Sequence, residues 1–492
     1  MLQQLLDRCR REVVAYSWSI LGICLICLAA NRAFVTASIY SKRPENKDTS
    51  TGSDLIQSNV LISGASLRWG KWWSTIQYVL RAPQSIQTAY DKADGKPFAI
   101  PAIDEYQVYV SSEEHIQEVN NAPQEYLSSH AVMADRLKMK YTFYGFELGS
   151  KLDPNDKVPR RVLKTLLRTS IPRLRPKIQR KIEQGFDRTL SKATALDGGD
   201  NEDYLKAALR YGNDVILSME LCRYLPSFMV PYVCPAIMSF SASMDRIAGY
   251  VRKVVVERLR QQDESKPLPE SSTTPGLRSV ERIVQQVIAL TFASAHQMPL
   301  VLSFAIRNLC LHPEYIEPLT QEVNDTLSQP PESRYKHMPL LESFMRESSR
   351  INPLDGLTIH RKVMQPFTFS SGTHVPVGNI ICVPQEALMR DSKYYENPLT
   401  FDGFRFVVPE DRESDEPQLK YTDIAAGFPF WGTFNKACPG RWYASEMLKQ
   451  TLAHLLMNYE FRLSENNKKM TLQYTTMVIP TYGVKIQLRK LV

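Results

Sequence analysis

Only eight of the 492 residues are cysteine, and they are scattered along the chain, which excludes a disulfide scaffold. No zinc-finger spacing, no dense run of Lys and Arg and no aromatic–basic RNA-binding signature is present, so nothing points to nucleic acid. No glycine-rich phosphate loop opens a helix after a strand, which removes a nucleotide-binding core, and no internal repeat is visible. Long uncharged apolar runs are scarce, which excludes a multi-span membrane protein. What remains is ordinary globular composition, 43% apolar and 23% charged. The 60 Lys and Arg against 52 Asp and Glu give a net charge of +8. That balance fits attraction to an anionic membrane or an acidic partner, and fits a solvated surface equally well.

Residues 13–30 (VVAYSWSILGICLICLAA) are free of charge and lie at the short end of a spanning helix, which needs about 20 apolar residues. A secretory signal is the rival reading, with Arg8, Arg10 and Arg11 as its basic start. The apolar run is long for that purpose, and Asn31-Arg32-Ala33-Phe34 makes a poor cleavage site. The expectation is therefore a tail over 1–12, an uncleaved transmembrane anchor over 13–32 and a polar linker over 33–55, followed by one domain over 56–492. Basic residues flank both ends of the anchor, so charge alone does not orient it. Cys24 and Cys27 lie inside the run and read as membrane filler.

Downstream, helical patterns dominate. Residues 158–186 form a basic amphipathic stretch that Pro172 and Pro176 are expected to break. The proline-rich segment 262–276 reads as a surface loop. Residues 279–311 predict a long apolar helix of about 45 Å, kinked at Pro299, and outside a membrane it must run through a large core. Two helices follow near 313–328 and 338–350. Strand-like runs with turn signals occupy 357–384, a polar loop 409–419, and a helix begins near Trp442. Residues 471–491 read as paired terminal strands with Gly483 near the turn. The fold class expected is mainly α with minor β.

The chemistry-bearing segment is Phe430-Trp431-Gly432-Thr433-Phe434-Asn435-Lys436-Ala437-Cys438-Pro439-Gly440-Arg441. A lone cysteine is usually a small buried hydrophobe. This one follows aromatic residues, has Lys436 two positions before it, and precedes Pro-Gly-Arg at the start of a helix, where backbone N–H groups favour a thiolate. Gly440 lets the backbone approach a flat cofactor closely. Glu347-Ser348-Ser349-Arg350 puts a carboxylate and a guanidinium on one helix face, a spacing that is most often a solvated pair. Phe401-Asp402-Gly403-Phe404-Arg405-Phe406 adds an arginine between aromatics, or is an ordinary loop.

In this order and spacing the three segments resemble the cytochrome P450 family of haem-thiolate monooxygenases, across essentially the whole chain. SRINPL, PLTFDGFRF and ACPGRWYASEM are similar to fungal secondary-metabolism members near the ent-kaurene-oxidase-like group. The resemblance implies a long central helix over haem b (iron protoporphyrin IX) with small peripheral sheets. It implies Cys438 as the axial iron ligand, and Glu347, Arg350 and Arg405 as a buried triad bracing the cysteine loop. Lys436 would pair with a haem propionate, with His360 or Arg361 as a second partner, while Trp431 packs beside the sulfur. Electrons would come from NADPH through cytochrome P450 reductase, with cytochrome b5 as a further donor. The location implied is the endoplasmic reticulum membrane, single-pass, with the catalytic domain cytoplasmic. The substrate would be an apolar secondary metabolite, a terpenoid or meroterpenoid.

The sequence departs from the family in two places. Trp431 and Phe434 stand where the family usually has Phe and Gly, seven and four residues before the cysteine. In the central helix, Ala293-Ser294-Ala295-His296-Gln297 replaces the usual acid and threonine with His296 and Gln297. Histidine can titrate near neutrality and relay protons, whereas a lone histidine is more often a satisfied core residue. Two rivals follow from this departure. One is an oxygen-independent isomerase, a dehydratase or an atypical ring-forming oxidase; the other is an inactive haem-binding protein.

Overall fold

The computed structural model describes residues 61–62, 68–101, 105–148, 161–190, 200–225, 228–265, 279–330, 333–408, 418–464, 471–480 and 485–491. The expected anchor, its linker and Gly483 lie outside the described residues. Helices dominate and the sheets are small, as the hydrophobic periodicity predicts.

Two compact units are distinguished. The first takes its described residues from 133–154 and 198–295. It contains α6 (Asp200–Tyr224), α7 (Val230–Ser241), α8 (Ser243–Ser265) and α9 (Val280–Ala295). Their apolar faces meet at Tyr211, Val215, Ile247, Val284 and Ile288, with Phe143 and Phe146 packed among them. Phe143, Tyr211 and Phe292 form edge-to-face pairs. Phe143 is therefore core. Asp214 is the buried polar hinge of this unit. Its Oδ2 accepts hydroxyl hydrogens from Ser241 and Ser243 at the corner between α7 and α8, where Ala242 sits at φ +50°.

The second unit takes its described residues from 61–132, 161–190 and 296–491. One six-stranded sheet has the order β1-β2-β3-β8-β5-β4, with β1 (Leu61–Ile62), β2 (Phe98–Pro101), β3 (Tyr106–Tyr109), β4 (Leu127–Ser128), β5 (Thr358–Val363) and β8 (Ile380–Val383). The short strands β6 (Phe367–Thr368) and β7 (His374–Val375) pair with one another. The helical core sits between α10 (Gln297–Leu311), α11 (Ile316–Leu327), α12 (Pro339–Ile351) and α14 (Arg441–Asn458). It is filled by Leu309, Leu319, Val323, Leu341, Phe344, Tyr421, Phe428, Leu452 and Leu455.

Three sequence expectations are corrected. Pro172 and Pro176 do not break their helix: α5 (Arg168–Leu190) runs through both, preceded by a π-helical turn at Val162–Leu167 that absorbs a change of register. The apolar segment 279–311 is two helices, interrupted at His296 (φ −110°, ψ −42°) rather than kinked at Pro299. The proline still supplies the cause, because its ring opposes the carbonyl four residues earlier, which belongs to Ala295, the last residue of α9. Pro299 itself then sits harmlessly in the first turn of α10. By length and composition the stretch Val280–Leu311 would suffice to cross a membrane, yet Val284 and Ile288 serve the first unit's core and Leu309 the second's. The terminal strands pair differently as well. β10 (Thr471–Tyr474) and β11 (Met477–Pro480) form a hairpin turning at Thr475 and Thr476, while β12 (Ile486–Lys490) pairs with β9 (Tyr459–Leu463).

Asp214→Ala should cost about 2–3 kcal/mol, because the buried Ser243 hydroxyl and the half-buried Ser241 hydroxyl lose a charged acceptor. The denaturant midpoint reads this directly, and a shift below about 0.5 kcal/mol would show that the hinge is dispensable.

Candidate active site

Helix α12 begins with Pro339, whose fixed φ suits a first turn. The Glu322 carboxylate accepts the N–H groups of Leu340 and Leu341 at 2.7 and 2.9 Å, capping that end. Every residue from Leu341 to Arg350 is buried, so Glu342, Arg346, Glu347 and Arg350 must find their partners inside the protein. Arg350 meets Glu347 through two bonds of 2.7 Å and donates to the carbonyls of Met389 and Pro398. Arg405 approaches the same carboxylate at 3.2 Å and donates to the carbonyls of Glu396 and Thr400. The structure thus brings Glu347, Arg350 and Arg405 together, and their hydrogen bonds tie down the segment 389–405.

One turn earlier, a second group holds the chain just before the cysteine loop. Arg346 donates to the carbonyls of Lys420 and Asp423, both at 2.9 Å, with its guanidinium over the Phe428 ring at 4.0 Å. Burial lowers its pKa. Glu342 accepts the Tyr421 N–H at 3.0 Å, and the Tyr421 hydroxyl pairs with Ser349 at 2.9 Å.

The cysteine loop is two 3-10 turns, Pro429–Trp431 and Phe434–Lys436, closed by a Cys438 N–H bond to the Trp431 carbonyl at 2.6 Å. Gly432 between them lies at φ +85°, ψ −167°, a region only glycine occupies readily. Phe434, in the place of the family's usual glycine, holds φ +47° despite its side chain. The glycine is thus missing while the left-handed backbone it permits is kept, at a cost of about 1–2 kcal/mol. Asn120, from α2 (Glu113–Asn121), donates to the Thr433 hydroxyl at 2.6 Å and steadies the loop from a distant helix.

The Cys438 sulfur is exposed at the N-terminus of α14. Burial by the surrounding protein pushes its thiol pKa up; the N–H groups of Gly440 and Arg441 and the Arg441 charge oppose that shift without reversing it. The helix terminus thus acts in the expected direction, favouring the thiolate, and burial outweighs it in the chain itself. Gly440 takes an ordinary φ of −88°, and a Cβ there would meet only the cysteine sulfur at 3.9 Å.

Lys436 is half-buried in the turn immediately before Cys438. Along β5 burial alternates, leaving His360 half-buried and Arg361 buried on opposite faces. Arg361 donates to the His360 carbonyl at 2.9 Å. His296 and Gln297 lie at the start of α10, with Gln297 exposed. The Trp431 indole donates to the Tyr421 carbonyl at 2.7 Å, and its ring packs edge-on to Tyr421 and Phe430. Sequence reading missed Glu342, Arg346, Tyr421, Asn120 and Gly432. Only the first two carried a signal, a second acid–base spacing one turn before Glu347.

Compared with known proteins, residues 189–488 match the family model for cytochrome P450. The chain belongs to the cytochrome P450 family. It is similar to the cytochrome P450 monooxygenase atmQ of Aspergillus flavus, 26% identical over 457 residues and 84% of each chain. Monooxygenase 151 of Postia placenta is 24% identical over 456 residues, 84% of this chain and 90% of its own. Ent-kaurene oxidase P450-4 of Gibberella fujikuroi is 28% identical over 301 residues, 59% of this chain and 60% of its own. The protein is thus an oxidoreductase that incorporates oxygen, of a family built on cysteine-ligated haem.

The residues present fit that cofactor. One exposed sulfur stands at a helix N-terminus with two N–H donors turned toward it. Among the described residues no group of three or more His, Cys, Asp or Glu is arranged to hold a bare metal ion.

Gly432→Ala should destabilise even the cofactor-free P450 by about 1–3 kcal/mol. Gly440→Ala should leave chemical unfolding of the cofactor-free chain unchanged and reduce haem content only; equal losses in both variants would refute the distinction. In cofactor-free protein, alkylation of Cys438, read against Cys438→Ser, should titrate above the ordinary thiol value of 9.0. A midpoint below that value would show that the helix terminus wins after all.

Proposed function

We propose that this P450 is a membrane-anchored haem-thiolate monooxygenase that oxidises an apolar terpenoid or meroterpenoid of fungal secondary metabolism, by hydroxylation or further oxidation. The observation that carries the proposal is the Cys438 loop: an exposed sulfur fed by two backbone N–H groups, with its backbone tied to Trp431. In this reading Cys438 is the axial ligand of haem b. When bound, the haem supplies dioxygen activation, and in this family a thiolate ligand favours O–O cleavage.

The chain's own residues do the rest. The Gly440 and Arg441 N–H groups would hold the charge on a coordinated sulfur. Lys436, with Arg361 or His360, offers cationic or hydrogen-bonding partners for the propionates, Trp431 packs beside the sulfur, and Gly440 leaves room for a flat macrocycle. Glu347, Arg350 and Arg405 fix the segment 389–405, and loss of one would strand a buried charge. His296 holds or moves a proton at its imidazole, and Gln297 positions a water. NADPH-derived electrons arrive through cytochrome P450 reductase, with cytochrome b5 as a further donor; the net charge of +8 suits an acidic partner. Residues 13–32 anchor the enzyme in the endoplasmic reticulum, 33–55 link, and 56–492 form the cytoplasmic catalytic domain. The ent-kaurene oxidases among the relatives support the terpenoid class. Gln297, a poor proton donor in the place of threonine, favours one second reading, an oxygen-independent isomerase or dehydratase.

The reduced, CO-bound spectrum of the full-length protein, beside Cys438→Ser, tests the ligand. A red-shifted thiolate-type band that vanishes in the variant is expected, and folded protein without haem would overturn the proposal. Turnover of a diterpene panel with and without reductase, NADPH and oxygen then separates the two readings. Product formed without them would establish the isomerase.

A further inference from the structure

We infer that Glu342 and Lys449 are positioning residues for Cys438, acting through Tyr421 and Trp431; this rests on Cys438 being the haem ligand. The connection is a single series of hydrogen bonds. Lys449 Nζ donates to Glu342 Oε1 at 2.9 Å and to the Tyr335 carbonyl at 2.7 Å. Glu342 Oε2 accepts the Tyr421 N–H at 3.0 Å. The Tyr421 carbonyl accepts the Trp431 indole N–H at 2.7 Å, and the Trp431 carbonyl accepts the Cys438 N–H at 2.6 Å. Glu342, Lys449 and Tyr421 are buried, so the bonds among these three are shielded from water, and Trp431 carries the series out to the exposed Cys438.

The two carboxylate oxygens have separate duties. One compensates the buried ammonium of α14, and the other orients the peptide of Tyr421. An amide at position 342 cannot do both, because its NH₂ would face either the ammonium or the Tyr421 N–H. Trp431 is the link that makes the series reach the cysteine. A phenylalanine, usual at this place in the family, would fill similar space without the indole donor. The substitution that looks like a departure from the family therefore couples a second buried ion pair, Glu342 with Lys449, to the peptide that carries the sulfur.

The test uses full-length holoprotein in four forms: wild type, Glu342→Gln, Trp431→Phe and the double variant. Haem content controls for folding, and the readout is the decay of the thiolate-type band in the reduced, CO-bound spectrum. Glu342→Gln should speed that decay about two- to tenfold, the effect of one hydrogen bond. In the Trp431→Phe background, where the link is already cut, the same change should alter it by less than about twofold. An equal effect in both backgrounds, or none in either, overturns the inference and leaves Glu342 a purely structural residue. If Glu342→Gln yields no holoprotein, Trp431→Phe decides alone: decay faster than wild type is expected, and decay at the wild-type rate overturns the coupling. A wild-type protein without any thiolate-type band defeats the ligand reading itself, and the coupling with it.

Discussion

A helix buried on every side while carrying two acids and two arginines is the constraint on which the catalytic architecture depends. Along α12, Glu342, Arg346, Glu347 and Arg350 have no access to water, and leaving any one unpaired would cost about 3–5 kcal/mol. The protein meets this by pairing Glu347 with Arg350 and Glu342 with Lys449, and by sending further hydrogen bonds into irregular chain. Glu347 and Arg350, with Arg405, fasten 389–405, whereas Glu342 and Arg346 fasten 420–423. Loops are fixed because they supply carbonyl and N–H partners that complete the hydrogen bonding of these buried charges.

The cysteine loop inherits that rigidity and spends part of it on strain. Phe434 at φ +47° and Gly432 in a region reserved for glycine would relax if the ends of the loop could move. They cannot. Asn120 holds Thr433 from α2, the Trp431 indole is tied to Tyr421, and the Cys438 N–H closes on the Trp431 carbonyl. The result is a sulfur held by the backbone geometry of its loop together with the Gly440 and Arg441 N–H groups.

What the sequence made legible was what chemistry demands at fixed spacing. Glu347, Arg350, Arg405 and Cys438 stand out through the order and spacing that resemble the P450 family, and the first three do meet in the structure; Gly440-Arg441 marks a helix start by backbone preference alone. Tertiary context hid the rest. Pro172 and Pro176 read as breakers, but the helix that follows a π turn runs through both. Pro299 marked a real interruption and misplaced it, since the clash acts on the residue four before. Tyr421 and Asn120 gave no local signal: each matters through a partner dozens to hundreds of residues away.

The thiol itself shows why a local rule can give the wrong sign. Two N–H groups at the start of α14 and the Arg441 guanidinium favour the anion, while the surrounding protein disfavours it more strongly. Without a metal, the balance keeps Cys438 protonated at neutral pH and therefore a poor nucleophile and a poor target for oxidation, for which the thiolate is the reactive form. In a cysteine-ligated state the same N–H groups would stabilise the charge left on the sulfur.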